Sequence, residues 1–302
     1  MRFIAVLNRD GGTLRTMDLP AFAASAVEVF ERHGHSLDCV IVGGSEVERA
    51  LRKAANDPDA DAILAGGGDG TISSAARIAY ETGTPLGILP VGTMNLFARA
   101  LKIPLVLADA LEAIAGGEVG SVDIATANDR AFVHQFGVGI HARLVRIREN
   151  MTYRSRIGKM LASLRAIAAA AMHPPSFDVL FETENGLQKR RVAGVAVSNN
   201  PLGDGQIHAE RLDAGLLGVY IAAPMSTFAL IRLSVDVFRG TWRESEMVSE
   251  MEVPSISLRF PRRKRESYAV VDGELIKLDS SVALKVHPGA IKVILPKISE
   301  IA

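Results

Sequence analysis

A chain of 302 residues is long enough to bury at least one full core and, at ordinary domain sizes, two. Its 34 basic and 34 acidic residues balance, so no overall field recruits nucleic acid and any membrane attraction has to be local. The lone cysteine, Cys39, excludes an internal disulfide and a cysteine-clustered zinc site, which suits a reducing cytoplasm.

Met1 to Leu7 meets the polar Asn8-Arg9-Asp10-Gly11-Gly12 too soon to serve as a secretory apolar region, and Phe3 to Leu7 reads as a first strand. Asp18 with Pro20 opens a helix that carries Phe22, Val29 and Phe30 and stops at Gly34. Leu37 to Val42 is the second strand. Ser45 with Glu48 predicts a capping box ahead of a helix holding Val47 and Leu51, closed by Asp57-Pro58. Ala62 to Ala65 runs straight into Gly66-Gly67-Gly68-Asp69-Gly70-Thr71, and Ile72 to Tyr80 continues as a helix ending before Gly83. A short strand, Leu86 to Leu89, leads into Pro90-Val91-Gly92-Thr93-Met94-Asn95, with Leu96 to Leu101 helical. Short β-branched runs alternating with amphipathic segments predict a parallel sheet covered by helices.

Near Ser121 the pattern changes to extended segments. These are Val122 to Thr126, Ala131 to Phe136, Phe177 to Phe181, Val192 to Ser198, Leu217 to Ala222, Ser255 to Phe260, Tyr268 to Val271 and Ala283 to Val286. Two helical insertions interrupt them, Ile157 to Met172 and Thr227 to Phe238. The prediction is a second, mainly antiparallel β domain, with residues 1–124 forming the α/β domain, 125–290 the β-rich one, and 291–302 returning to the first. Apolar runs such as Ala166 to Met172 fall far short of the roughly 20 residues a membrane span needs. The expectation is a soluble or peripheral protein in the cytoplasm.

The glycine loop carries the first chemical signal. At the carboxyl end of a parallel strand, backbone N–H groups point out of the sheet, and glycines let a phosphate approach without a Cβ in the way. Thr71 can cap the following helix, whose positive end favours anions. Asp69 would repel phosphates unless a cation lies between, and Mg2+ resolves this. No Gly-Lys-Ser/Thr follows, so the segment is not a Walker A loop, and it lacks the third small residue of a dinucleotide fingerprint. Alone, the cluster is equally compatible with a tight turn between strand and helix.

Gly66 to Thr71 resembles the GGDGT motif of the diacylglycerol kinase catalytic domain family, which includes sphingosine kinases and bacterial lipid kinases; more distantly it is similar to NAD kinases and phosphofructokinases. Pro90-Val91-Gly92-Thr93-Met94-Asn95-Leu96-Phe97-Ala98-Arg99 resembles that family's PxGTxNDFAR motif, which NAD kinases lack. Asn8 to Gly12 is similar to NPxxG, with Arg9 in place of proline, and Asp272-Gly273-Glu274 looks like the C-terminal DGE. The resemblance implies a phosphofructokinase-like or NAD kinase-like, doubly wound nucleotide domain followed by an acceptor domain, and an ATP- and Mg2+-dependent lipid kinase. By this resemblance the phosphates lie between Gly66, Gly67, Gly68, Asp69, Gly70, Thr71 and the turn at Gly92 and Thr93, with Asn8 and Asn95 supporting that wall. Asn95 as a local cap is the plain alternative. Glu274 is implied as the base that takes the acceptor proton, with Asp272 as competitor and Gly273 as the turn that aims both carboxylates. The alternative for Glu274 is a solvated carboxylate at a strand end. A base drawn from the second domain places the acceptor between domains, with closure assembling the site.

The chain also departs from the family pattern. Leu96 stands where diacylglycerol kinase relatives often carry aspartate, although sphingosine kinases lack it too. Leu212-Asp213-Ala214-Gly215-Leu216 resembles a segment where some bacterial members hold structural Mg2+, with Ala214 in the acid position; Asp213 is a neighbouring substitute, but it points to the opposite face of a strand, so loss of that site is the favoured expectation. Ala209 stands where the family often has proline. Pro261-Arg262-Arg263-Lys264-Arg265 and the apolar segment from Phe228 to Trp242, with Arg232, Arg239 and Arg243 interleaved, offer peripheral membrane contacts; a solvated loop and a core-packed helix are the plain readings. His141 and His208 read as structural. A homodimer stays open, as do two other functions: a kinase for a soluble acceptor such as a nucleoside cofactor or polyol, and a non-catalytic nucleotide- or lipid-binding regulator.

Overall fold

The computed structural model describes residues 1–149, 174–184, 186–262 and 267–297. The expected helix at Ile157 to Met172, the basic residues Arg263 to Arg265 and residues 298–302 of the C-terminal segment lie outside them. Contacts divide the chain into two compact units, one of Met1–Ile124 with the stretch from His287, the other Ala125–Val286.

In the first unit, strands β1 (Arg2–Asn8), β2 (Ser36–Val42), β3 (Ala62–Gly67) and β4 (Leu86–Pro90) pair in parallel in the order β2-β1-β3-β4. All six positions of β3 and all five of β4 are buried, which is why these strands read as continuous apolar runs rather than as alternation. Helix α1 (Leu19–Arg32) starts where the Asp18 side chain accepts an N–H from Ala21, and it turns Val29 and Phe30 inward. Phe30 meets Phe3 edge to face at 4.9 Å. Helix α2 (Val47–Ala55) departs from expectation: Ser45 lies in a 3-10 turn, Gly44–Glu46, and no side chain caps the helix. Glu48 instead pairs with Arg77 on α3 (Asp69–Thr82) at 3.0 Å. That helix ends at Gly83 in the left-handed conformation, φ +74°. Helices α4 (Leu96–Ala100) and α5 (Leu107–Ala115) follow, the second without a counterpart in the sequence reading.

In the second unit, β6 (Arg130–Phe132) pairs with the end of β5 (Glu118–Ala127). Strands β7 (Gln135–Gly139), β10 (Gly194–Asn199), β11 (Leu217–Ala222), β12 (Val248–Val253), β14 (Tyr268–Val271) and β15 (Glu274–Lys277) form one antiparallel sheet in the order β12-β11-β10-β7-β14-β15. Strands β8 (Phe177–Thr183), β9 (Gly186–Val192), β13 (Ser255–Arg259) and the first part of β16 (Ser281–Leu295) pair antiparallel in a second layer. One core that includes Phe132, Phe136, Phe181, Val197, Val219 and Leu258 draws residues from both layers. Helix α6 (Ile140–Glu149) packs Ala142 and Val145 against Val270, and α7 (Thr227–Arg239) buries Leu230 and Leu233.

Candidate active site

The register of β1, β3 and β4 brings their carboxyl ends level, Leu7 beside Gly66 and Gly67 beside Pro90. The three loops that follow therefore meet at one edge of the sheet, the usual place for ligands in an open α/β fold. Two glycines set the closeness of that meeting. A Cβ on Gly12, at φ +49°, would stand 1.6 Å from the Val91 carbonyl oxygen, and one on Gly92 would stand 2.9 Å from the Gly68 Cα. Thr13 N–H also donates to the Val91 carbonyl at 2.9 Å.

Side chains lock the loops from beneath. Asn8 donates its amide to the Thr71 hydroxyl at 3.0 Å, and its Oδ1 accepts the Asp10 N–H at 3.1 Å. Asn95 takes a left-handed backbone, φ +51°; its Oδ1 accepts the Gly92 N–H at 2.8 Å, while its Nδ2 donates to the Gly92 and Pro90 carbonyls. Asn95 is thus the clasp of its own turn, the local role that the sequence left open beside wall support, and the Gly92 N–H points inward to it. Asp69 binds backbone as well, each oxygen accepting one N–H, from Leu96 at 2.9 Å and from Asn95 at 3.3 Å. It anchors the first turn of α4 to the first turn of α3.

The opposite side of the glycine loop faces open space. Nothing stands within 4 Å of a Cβ built on Gly68 or Gly70, and no side chain caps α3 at Gly68. The first N–H groups of a helix have no acceptor within it, and there the macrodipole is positive. Gly67 is different: its Cβ would stand 2.3 Å from the Thr71 side chain, so Gly67 serves packing while Gly68 and Gly70 leave room. Thr93 is exposed at the tip of the adjoining turn. This arrangement can accept a chain of phosphates.

In the second unit, Asp272 and Gly273 form the two-residue turn between β14 and β15, with φ +47° and +87°. The Asp272 carboxylate accepts three backbone N–H bonds, from Val133 at 3.0 Å, His134 at 2.9 Å and Gln135 at 3.0 Å. The expectation that the turn aims both carboxylates at an acceptor is corrected here. Asp272 ties the segment before β7 to the hairpin through these three backbone bonds. Glu274, exposed, pairs instead with Arg130, a residue the sequence reading passed over. Arg130 and Glu274 lie 144 positions apart, so no local pattern signals the pair.

Asp213, the substitute considered for a second metal site, is committed elsewhere. Asp213 is exposed and ion-paired with Arg211 at 3.0 Å, whose hydrogen bond holds its carboxyl below the usual range. The Ala214 N–H donates to Asn200 Oδ1 at 2.8 Å, so the acid position of this segment presents a methyl group and a backbone donor, which do not fit a structural cation. Among the described residues no group of three or more His, Cys, Asp or Glu is placed to hold a metal. Asp69 has a different geometry: a carboxylate offers about four lone-pair sites, and two N–H bonds leave room for one metal contact, direct or through water. That fits Mg2+, which takes one or two carboxylates and completes its shell with phosphates and water. Three further buried polar residues went unread in the sequence. Asp123 is 2% exposed and accepts the Gly289 N–H at 2.9 Å, and Asn199 and Asn200 are buried at the end of β10. His141 packs over Gly137 beside Gln135.

An α/β unit with an open glycine loop at its carboxyl edge, followed in the chain by an antiparallel β sandwich, is the architecture these observations define. Residues 2–127 match the model of the diacylglycerol kinase catalytic domain, and residues 135–295 match that of the YegS C-terminal NAD kinase beta sandwich-like domain. The chain belongs to the diacylglycerol kinase catalytic domain family. An uncharacterised protein of Synechocystis sp. is 26% identical over 83% of this chain and 59% of its own length. A diacylglycerol kinase of Staphylococcus haemolyticus is 41% identical over 30% of this chain and 26% of its own. The chain thus spans less than two thirds of either relative's length. A solved diacylglycerol kinase from Bacillus anthracis str. Sterne shares the fold at a TM-score of 0.71 and 18% identity, covering 98% of this chain and 97% of the other. A second structure from that organism, at 19% identity, gives 0.75 over the same shares. No helix among the described residues is long and apolar enough to cross a membrane.

Proposed function

We propose that the chain is an ATP- and Mg2+-dependent lipid kinase acting on a hydroxyl of a diacylglycerol-like or sphingoid-like acceptor. The observation that carries this reading is the open face of the glycine loop, where Gly68 and Gly70 leave room above the positive end of α3. A triphosphate seated there exposes its terminal phosphoryl group. The acceptor oxygen then bonds to that phosphorus, the bond to the bridging oxygen breaks, and ADP leaves. Glu274 takes the hydroxyl proton, oriented by its pairing with Arg130. Bound Mg2+ supplies charge neutralisation among the phosphate oxygens, and Asp69 is the residue that would hold it. The family and the name of the Staphylococcus relative favour a lipid acceptor.

A second reading has its own support. The C-terminal half matches a domain described as NAD kinase-like, which favours a soluble acceptor. Purified protein incubated with γ-labelled ATP, Mg2+ and a total lipid extract separates the two. Label entering the organic phase supports the lipid reading; label transferred only to a water-soluble acceptor replaces it.

A further inference from the structure

Helix α7 (Thr227–Arg239) presents the wrong face to water. Surface helices turn their apolar stripe inward and charge outward. Here Leu230 and Leu233 are buried, as expected, yet the opposite face carries Phe228, Ile231, Val235 and Phe238. Their spacing of three, four and three residues forms one stripe along the helix. Phe228 is 77% exposed and Phe238 93%, and they stand about 15 Å apart along the axis. The helix is closed at both ends, with Ser226 Oγ accepting the Ala229 N–H and Gly240 left-handed at φ +77°, so the stripe is held on a defined rod.

We propose that this face docks on the surface of an anionic lipid bilayer, lying in the interface with its four apolar side chains among the acyl chains. Charge selects the occupant. Arg232 and Arg239, both exposed, flank the stripe on one side, while the only acid of the helix, Asp236, is 22% exposed at its side chain and sits 4.0 Å from Arg232. A second copy packed antiparallel on the same face by a two-fold would set arginine against arginine. Anionic headgroups complement both arginines while the apolar stripe enters the membrane, the pattern of an interfacial helix. The inference rests on the lipid-acceptor reading only for its purpose, delivery of the enzyme to a substrate that resides in a bilayer.

The test is cosedimentation with phosphatidylcholine vesicles, with and without phosphatidylglycerol, in the absence of ATP. The parent should bind the mixed vesicles, and F228S/F238S should bind about tenfold or more weakly. R232E/R239E should lose most of the phosphatidylglycerol dependence, above all at low salt. All four positions are exposed, and urea unfolding checks that the variants fold. A parent that leaves these vesicles unbound, or variants that bind as the parent does, overturns the proposal. So does sedimentation that shows a dimer abolished by F228S/F238S, because the face then belongs to a second copy. Transfer to a short-chain, monodisperse diacylglycerol is measured alongside. Failure there with vesicle binding intact counts against the kinase reading and leaves the docking face standing.

Discussion

Replacing Asp272 should unfasten one corner of the β sandwich. Its carboxylate accepts three N–H bonds of 2.9–3.0 Å from Val133, His134 and Gln135, and its backbone sits at φ +47°. A hydrogen bond to a charged group contributes about 1.5–3 kcal/mol, with the lower end apt for a half-buried turn, and alanine at positive φ costs about 1 kcal/mol more than glycine. Asp272→Ala should therefore cost about 4–5 kcal/mol, and Asp272→Gly about 1 kcal/mol less. Asp272→Asn keeps one oxygen for His134 and Gln135 but turns an N–H₂ toward the Val133 N–H, so it should cost about 2 kcal/mol. Amide hydrogen exchange reads the effect where it arises. Protection at residues 133–135 should fall by about a hundredfold or more in the alanine variant, with glycine and asparagine less affected. Unchanged protection at those amides in Asp272→Ala would refute the structural role assigned to the carboxylate.

Two other substitutions probe the glycine loop. Asp69→Asn should lower phosphoryl transfer by about a hundredfold or more, because the charge that would hold Mg2+ is gone, while unfolding by urea shifts only modestly because one oxygen still anchors α4; near-normal turnover argues against a metal contact there. Gly68→Ala should fold normally and weaken ATP binding about tenfold, since its methyl group enters the open space, whereas Gly12→Ala should cost about 3 kcal/mol or more of stability because its Cβ meets the Val91 carbonyl at 1.6 Å. Calorimetric ATP titration beside denaturation curves checks both, and equal ATP affinity in Gly68→Ala and the parent removes the phosphate cradle.

Strands that stand between turn residues were the most legible part of the chain. Leu217 to Ala222 and Tyr268 to Val271 were readable to the residue because Val219, Tyr220 and Ile221 in the first, and Tyr268, Val270 and Val271 in the second, are β-branched or aromatic. Helix α6 hid because it follows β7 directly, at Gly139 with φ +77°, without a polar spacer. Strand β12 hid because three of its six residues are serine or glutamate, as befits the edge of its sheet. The glycine loop was visible because its function needs contiguous residues. What Asp69 and Asp272 bind was not, since both carboxylates take backbone N–H groups distant in the chain, and one residue's N–H resembles any other's in a sequence. The outward stripe of α7 was equally hidden: apolar residues at helical spacing do not say which face the rest of the fold covers.

The proposed reaction joins a triphosphate on the glycine loop with the Glu274 carboxylate to phosphorylate a lipid hydroxyl. Its most direct measurement is ATP affinity and lipid phosphorylation side by side for the parent and Glu274→Gln. Glu274→Gln should keep ATP affinity within about twofold of the parent and slow transfer by about a hundredfold or more, the usual scale for loss of a general base. Transfer by Glu274→Gln at the parent's rate, or a parent that binds ATP and phosphorylates no lipid, would contradict it.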